Sequence, residues 1–203
     1  GRAQAMRAAY GLDFLLEHVA SPLPRPDQMS LAAFLNLVAA ESGASLLIDL
    51  HNLECDADNG LLDLGEFVDE LDWSAVRELH LAGGVWHEGL HLDVHSGLVA
   101  TSTSDLLHDV LPRAGSLELV VYEVLAAAVP KLGVDAIGGQ LGALRALLNA
   151  DGGFEELTPA DNKLSKRQKQ LIVMLDRGLS NREIADELGI SEHTVKVHLW
   201  RLF

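Results

Sequence analysis

Cysteine is nearly absent from this chain. Cys55 is the single one among 203 residues, so no intrachain disulfide can form, and the composition points to a reducing, cytoplasmic compartment. Aromatic residues make up 5%. No apolar run is long enough to span a bilayer, and no charged-then-apolar leader opens the chain, so no membrane role is expected. Methionine is missing from the first position, where Gly1 stands, and the native start is expected upstream. Proline is scarce but concentrated: three of the six lie in Ser21-Pro-Leu-Pro-Arg-Pro26, which forbids regular structure there because proline lacks a donor and restrains its neighbour.

Basic residues are also short, at 15 against 30 acidic ones, giving a net charge of −15. The deficit is uneven. Residues 163–203 carry eight basic and five acidic residues, a net +3, which leaves −18 on the rest. An acidic body repels nucleic acid and a basic tail attracts it, so the two parts are expected to have different partners. With 48% apolar residues the chain can bury a sizeable core and has room for one domain plus a small one.

Four short apolar runs read as β-strands, and each ends on a carboxylate or an imidazole. Glu17 follows residues 12–16, Asp49 lies in the strand 45–50, His80 in the strand 76–82, and Glu123 closes the strand 117–123. Helical patterns lie between and after them: the end of a helix at 2–10, a helix from a Ser30 cap to Ser42 with Gly43 as its stop, and helices at 63–71, 104–113 and 134–149. Residues 51–60, rich in Asp and Asn, read as a polar loop, and 83–100 as a long loop. The expected fold is α/β, a partial TIM-like barrel of four βα units over 1–149, then a linker at 150–162 and a small all-α domain at 163–203. In such barrels the C-terminal strand ends converge on the rim that carries the site.

The loop His80-Leu-Ala-Gly-Gly-Val-Trp-His87-Glu-Gly-Leu-His91-Leu-Asp93-Val-His95 adds further donors. Alternation is expected to put His91, Asp93 and His95 on one face of an extended segment. Asp49-Leu-His51-Asn52 supplies another carboxylate–imidazole pair. Imidazole with carboxylate suits iron, manganese or zinc, and open sites of this kind support oxygen chemistry in iron enzymes. Taken singly, His18, His91 and His108 read as solvated side chains, Asp49 as a cap for the next turn, and His80 as a core histidine. Four donors on four successive strand ends favour a shared metal site.

The segments Leu46-Leu-Ile-Asp-Leu-His-Asn52, Glu78-Leu-His-Leu-Ala-Gly83, His87-Glu-Gly-Leu-His-Leu-Asp-Val-His95 and Val120-Val-Tyr-Glu123 resemble the C-terminal half of the multinuclear non-haem iron-dependent oxidative enzymes. That family includes the methanobactin-forming oxygenase. The resemblance implies two or three irons, dioxygen, and modification of cysteines in ribosomally made peptides. It implies the metal ligands Glu17, Asp49, His51 or Asn52, His80, Asp93, His95 and Glu123, with Cys55 outside the set. His18, Ser96 and Val124 stand where the family commonly has Asn, Asp and Trp. The family's first four strands have no counterpart here, and four strands do not close a barrel, so the missing half is expected in cis or from another chain. The fragment alone is not expected to be an active oxidase.

In the tail, Ser165 and Gly178 bracket one helical pattern, and Ser180 caps a second, Asn181 to Leu188, buried through Ile184, Ala185 and Leu188. Gly189-Ile190-Ser191 is a tight turn into a third helix. On that helix Val195, Leu199 and Leu202 share an inner face, while His193, Lys196, Val197 and Trp200 share the outer one. Gly178-Leu-Ser-Asn-Arg-Glu-Ile-Ala185 and Leu188-Gly-Ile-Ser-Glu-His-Thr-Val-Lys-Val-His-Leu199 resemble the LuxR-type helix-turn-helix closely. The resemblance implies binding of double-stranded DNA, with Lys196, Val197 and Trp200 toward bases and Asn181, Arg182 and Thr194 near phosphates. The expected function is a DNA-binding transcriptional regulator fused to an iron-binding, oxidase-like barrel that senses or modifies a ligand or peptide. The alternative is a peptide-oxidising enzyme with an auxiliary helical tail.

Overall fold

The computed structural model describes residues 5, 14–20, 29–150, 170, 173, 174, 177, 179–190 and 195. The chain divides into two compact units, Gly1–Gly153 and Phe154–Phe203. Among the described residues no helix is long and apolar enough to cross a membrane.

The first unit is built on a four-stranded parallel sheet. Its strands are β1 (Leu15–Glu17), β2 (Ser45–Asp49), β3 (Val76–Leu81) and, after a separate hairpin of β4 (Val85–His87) and β5 (Leu90–Leu92), β6 (Leu119–Tyr122). Their order is β1-β2-β3-β6, one strand beside the next, as four successive βα units require. Among the described residues the sheet is open, with β1 and β6 as its edges. Parallel sheets covered by helices read as continuous apolar runs. Accordingly Leu46, Ile48, Val76, Leu79 and Leu81 are fully buried, each contributing roughly 1.5–3 kcal/mol by leaving water.

Helix α1 (Leu31–Ser42) begins where Ser30 Oγ accepts from the Ala33 amide at 3.0 Å and ends on Gly43, whose φ of 67° is left-handed. It packs Ala32, Leu35 and Ala39 inward. The segment read from sequence as a polar loop is instead helix α2 (Leu50–Asp58). Asp49 caps it, and residues 50–56 are all buried, polar ones included. Composition misleads here because these polar side chains line an interior rather than a surface. Helix α3 (Leu64–Glu70) starts from an Asp63 cap. Helix α4 (Thr101–Val110) begins three residues earlier than expected, and its N-cap position, Ala100, makes no side-chain cap. A short helix α5 (Val129–Leu132) leads into α6 (Val134–Ala150).

The long loop 83–100 contains the β4–β5 hairpin, turned by Glu88 (φ 50°) and Gly89 (φ 81°). Positive φ at both central residues is what two-residue hairpins favour, but Glu-Gly announces it less clearly than Asn-Gly. The alternation expected of His91, Asp93 and His95 does not hold. β5 stops at Leu92, and His95 takes a left-handed φ of 44°, so His91 leaves the other two.

In the second unit, α7 (Asn181–Leu188) carries a full capping box between Ser180 and Glu183 and ends on Gly189, φ 62°. Met174, Ile184, Ala185 and Val195 form its core, with Leu179, Leu188 and Ile190 against them. Most of the first and third helical patterns and of the start 2–10, the linker beyond residue 150, and Leu199 and Leu202 lie outside the described residues.

Candidate metal centre

Parallel pairing brings the strand-end donors together. Asp49 on β2 stands opposite His80 on β3, and Glu123 directly follows β6, its amide bonded to the Leu81 carbonyl at 2.8 Å. Glu17 ends β1, next to β2 in the sheet. One donor atom each from Glu17, Asp49 and His80 lie within 4.8 Å of one another, and so do atoms from Asp49, His95 and Glu123. Asp49 belongs to both groups, so five of the expected ligands form one connected cluster.

The loop carrying Asp93 and His95 is fixed from beneath. The Gly83 carbonyl accepts from the Ser96 and Gly97 amides at 2.8 and 2.9 Å, and the Leu125 amide donates to the His95 carbonyl at 2.8 Å. A Cβ on residue 83 would collide with the backbone of Gly97 and Leu98, so this approach requires glycine. His95 then sets Nε2 2.7 Å from Asp93 Oδ1 and 3.6 Å from Asp49 Oδ2, with Nδ1 3.0 Å from Glu123 Oε2. His80 Nε2 is engaged by Glu78 Oε1 at 2.8 Å, which turns Nδ1 toward Glu123 Oε1 at 3.3 Å.

These contacts leave lone pairs unspent. Asp49 Oδ2, Asn52 Oδ1 and His80 Nδ1 are buried atoms without a directed hydrogen bond, and Asp93 Oδ1 and His95 Nε2 meet each other at 2.7 Å. Buried polar atoms are rarely left so, and a cluster of them facing one another fits a cation. The electrostatics of the site agree. Burial raises the Asp49 and Glu17 carboxyls above their ordinary values, and neighbouring carboxylates add to it. The Asp93 and Glu123 carboxylates beside His95 push its imidazolium up to about 10. Glu123 is held low chiefly by His95. Burial would raise Asp93, but His95 outweighs it and holds it low too. The raised value keeps a proton on His95 between the Asp93 and Glu123 carboxylates at neutral pH.

Asn52 and His51, offered by resemblance as alternatives, both lie in the first turn of α2, where Asp49 Oδ1 accepts from their amides at 3.1 and 2.8 Å. Asn52 has a buried Oδ1 without a hydrogen-bond partner, whereas His51 contacts Cys55 and groups with His91. His18, expected in solvent, is buried, and His91 is paired with Asp58 at 2.7 Å. Burial, with the Asp93, Glu54, Asp49 and Asp58 carboxylates around it, pushes the Cys55 thiol up to about 12. Glu78 and Asp58, which hold histidines, and Glu54, 3.9 Å from His51, were not singled out from the sequence. Only the two-residue spacing of Glu78 and His80 along one strand face pointed to any of them.

In the second unit, Asn181 and Arg182 open the first turn of α7, with Arg182 exposed. Thr194, Lys196, Val197 and Trp200 lie outside the described residues.

Residues 1–128 match a family model described as the RiPP precursor modification enzyme MbnB/TglH/ChrH, and residues 162–203 match bacterial regulatory proteins of the luxR family. The chain is 30% identical over 126 residues to a UPF0276 protein of Psychromonas ingrahamii, covering 59% of this chain and 43% of that one. Against a UPF0276 protein of Chromobacterium violaceum it is 30% identical over 116 residues, 57% and 42% of the two chains. The chain therefore spans less than half the length of these relatives. A further 57 residues are 40% identical to the CsgBAC operon transcriptional regulatory protein of Escherichia coli, covering 28% of this chain and 26% of that one.

Proposed function

Given that the chain belongs, over residues 1–128, to the MbnB/TglH/ChrH family of RiPP precursor modification enzymes, we propose that it is a DNA-binding transcriptional regulator whose first unit is an iron-binding, oxidase-like half-barrel. The observation that carries this reading is the joining, in one chain, of a luxR-family segment to a cluster of buried donors without directed partners. The metal is iron, two or three ions, held by Glu17, Asp49, Asn52, His80, Asp93, His95 and Glu123. Bound iron supplies reactivity toward dioxygen. The protein's own residues hold and orient it: Glu78 fixes the His80 ring, Asp49 spans helix and site, and His95 gives up its proton as metal enters. The rest of the barrel comes from elsewhere in the protein or from another chain, and residues 163–203 bind double-stranded DNA.

The family name itself favours a second reading, in which the iron modifies cysteines of a ribosomally made peptide and the helical tail is auxiliary. Reconstituting the protein anaerobically with Fe(II) and measuring duplex binding by fluorescence anisotropy separates the two. Regulation by iron requires DNA affinities for the loaded and metal-free forms that differ by about 5-fold or more. Equal affinities, together with dioxygen-dependent oxidation of a cysteine peptide, would replace the regulator with the enzyme.

A further inference from the structure

A third group of donors shares no residue with the two at the strand ends. His51 and Cys55 lie four apart on one face of α2, with Cys55 Sγ 3.5 Å from His51 Nε2. His91, on β5, sets its ring edge-on to His51 with centroids 5.0 Å apart. One donor atom from each of the three lies within 4.8 Å of the others. His51 and Cys55 are almost wholly buried, at 2% and 1% exposure.

Both imidazoles have a carboxylate on their far side, within hydrogen-bond distance at His91 alone. His91 Nδ1 pairs with Asp58 Oδ2 at 2.7 Å. His51 Nδ1 stands 3.9 Å from Glu54 Oε2, and Glu54 is itself held by the Thr103 hydroxyl. A carboxylate behind the far nitrogen is the arrangement that fixes a metal-binding histidine and turns its other nitrogen to the ion. Room at that nitrogen depends on Gly84, because a Cβ there would stand 2.5 Å from His51 Nε2.

We propose that His51, Cys55 and His91 form a second metal site, for zinc or a similar borderline-soft ion, that clamps the β4–β5 hairpin onto α2. One thiolate and two imidazoles select such an ion over magnesium or calcium, and three protein donors leave a fourth position to water. The hairpin needs an anchor: Val85, Trp86 and Leu90 are exposed, and a lone two-stranded hairpin is marginal in water. The hairpin's hydrogen bonds to the end of α2, from the Asn59 side chain to the His91 backbone at 2.9 Å and from Asp58 to the His91 ring at 2.7 Å, converge on His91 beside this site. The inference is independent of the iron reading.

Because Cys55 is the chain's single cysteine, a thiolate-to-cobalt charge-transfer band can come only from this site. Chelator-stripped protein titrated anaerobically with Co(II) should develop that band to saturation at one equivalent, and zinc should abolish it. Asp93→Ala, which disrupts the strand-end cluster, should keep the band. Asp58→Asn should weaken cobalt binding by about 10–100-fold, and zinc should slow amide hydrogen exchange across residues 85–92. Absence of the band in the wild-type protein overturns the proposal. So does a band whose affinity is unchanged in both His51→Ala and His91→Ala, which would mean the thiol binds alone. Those two variants decide the matter even if Cys55→Ser fails to fold.

Discussion

Asp49 faces His80 across the β2–β3 register, and its two carboxylate oxygens have separate tasks. Oδ1 caps α2 through the His51 and Asn52 amides, while Oδ2 is buried without a directed hydrogen bond, 3.6 Å from His95 Nε2. One residue thus ends a strand, starts a helix and faces the candidate metal centre. Asparagine is as good an N-cap as aspartate, whereas alanine is not. Asp49→Asn should therefore retain the fold and lose iron. Asp49→Ala should lose iron and also about 0.5–2 kcal/mol of cap stabilisation. Urea unfolding of the metal-free proteins, with metal analysis after anaerobic loading, separates the two effects. Equal iron in wild type and both variants would remove Asp49 from the ligand set.

Glu78 tests whether His80 is held for a metal. It touches His80 Nε2 at 2.8 Å from two residues away on the same strand. His80→Ala and Asp93→Ala should each lose most of the bound iron. Glu78→Gln should leave the iron stoichiometry intact while weakening affinity about 10–100-fold. Competition with a chelator reads that difference. A Glu78→Gln protein as tight as wild type would reduce the pair to an ordinary strand contact.

The metal-free protein should carry a pH signature centred on His95. Its imidazolium is held up to about 10 by Asp93 and Glu123 against an ordinary value of 6.5. A raised folded value contributes stability that is fully present below about pH 6.5 and lost as pH rises toward 10. Asp93 and Glu123 are held low, so their contribution is present at neutral pH and lost on acidification. Denaturation in chelator should show stability highest at mildly acidic to neutral pH and falling on the alkaline side. Metal must displace the His95 proton, so iron affinity should rise with pH over the same window. His95→Gln should flatten the alkaline decline, and a decline of undiminished size in that variant would assign it elsewhere.

The strands and their terminal donors were legible because a buried parallel strand is an apolar run and a polar residue at its end stands out. Helix α1 was legible from Ser30 and Gly43 for the same local reason. Helix α2 was not, because acidic and amide residues such as Glu54 and Asp56 made 51–60 look like a polar loop, although His51 and Asn52 already stood out as donors. Their burial is a tertiary fact, set by packing beneath the β4–β5 hairpin that residues 83–100 concealed. With α2 went the four-residue spacing of His51 and Cys55, which has meaning only on a helix. The split of His91 from Asp93 and His95 was hidden likewise, since it depends on a left-handed backbone at His95.

The second unit offers the test of the regulator reading. Arg182 lies exposed in the first turn of α7, and Lys196 belongs to the segment whose resemblance implies contact with bases. The tail's net +3 attracts duplex, while the −18 of the remainder suppresses nonspecific binding. A phosphate contact acts on all sequences alike, so Arg182→Ala should weaken binding uniformly and flatten the salt slope by about one unit. A base contact acts only where its base is present, so Lys196→Ala should cost roughly 1–3 kcal/mol on preferred sites and little on others. Fluorescence anisotropy of the full chain across salt concentrations, on a preferred and a scrambled duplex, distinguishes the two patterns. Wild-type binding matched by both variants on both duplexes would leave the tail a helical unit that does not read DNA through these residues. The recognition-helix assignment would then fall, whatever the metal centre does.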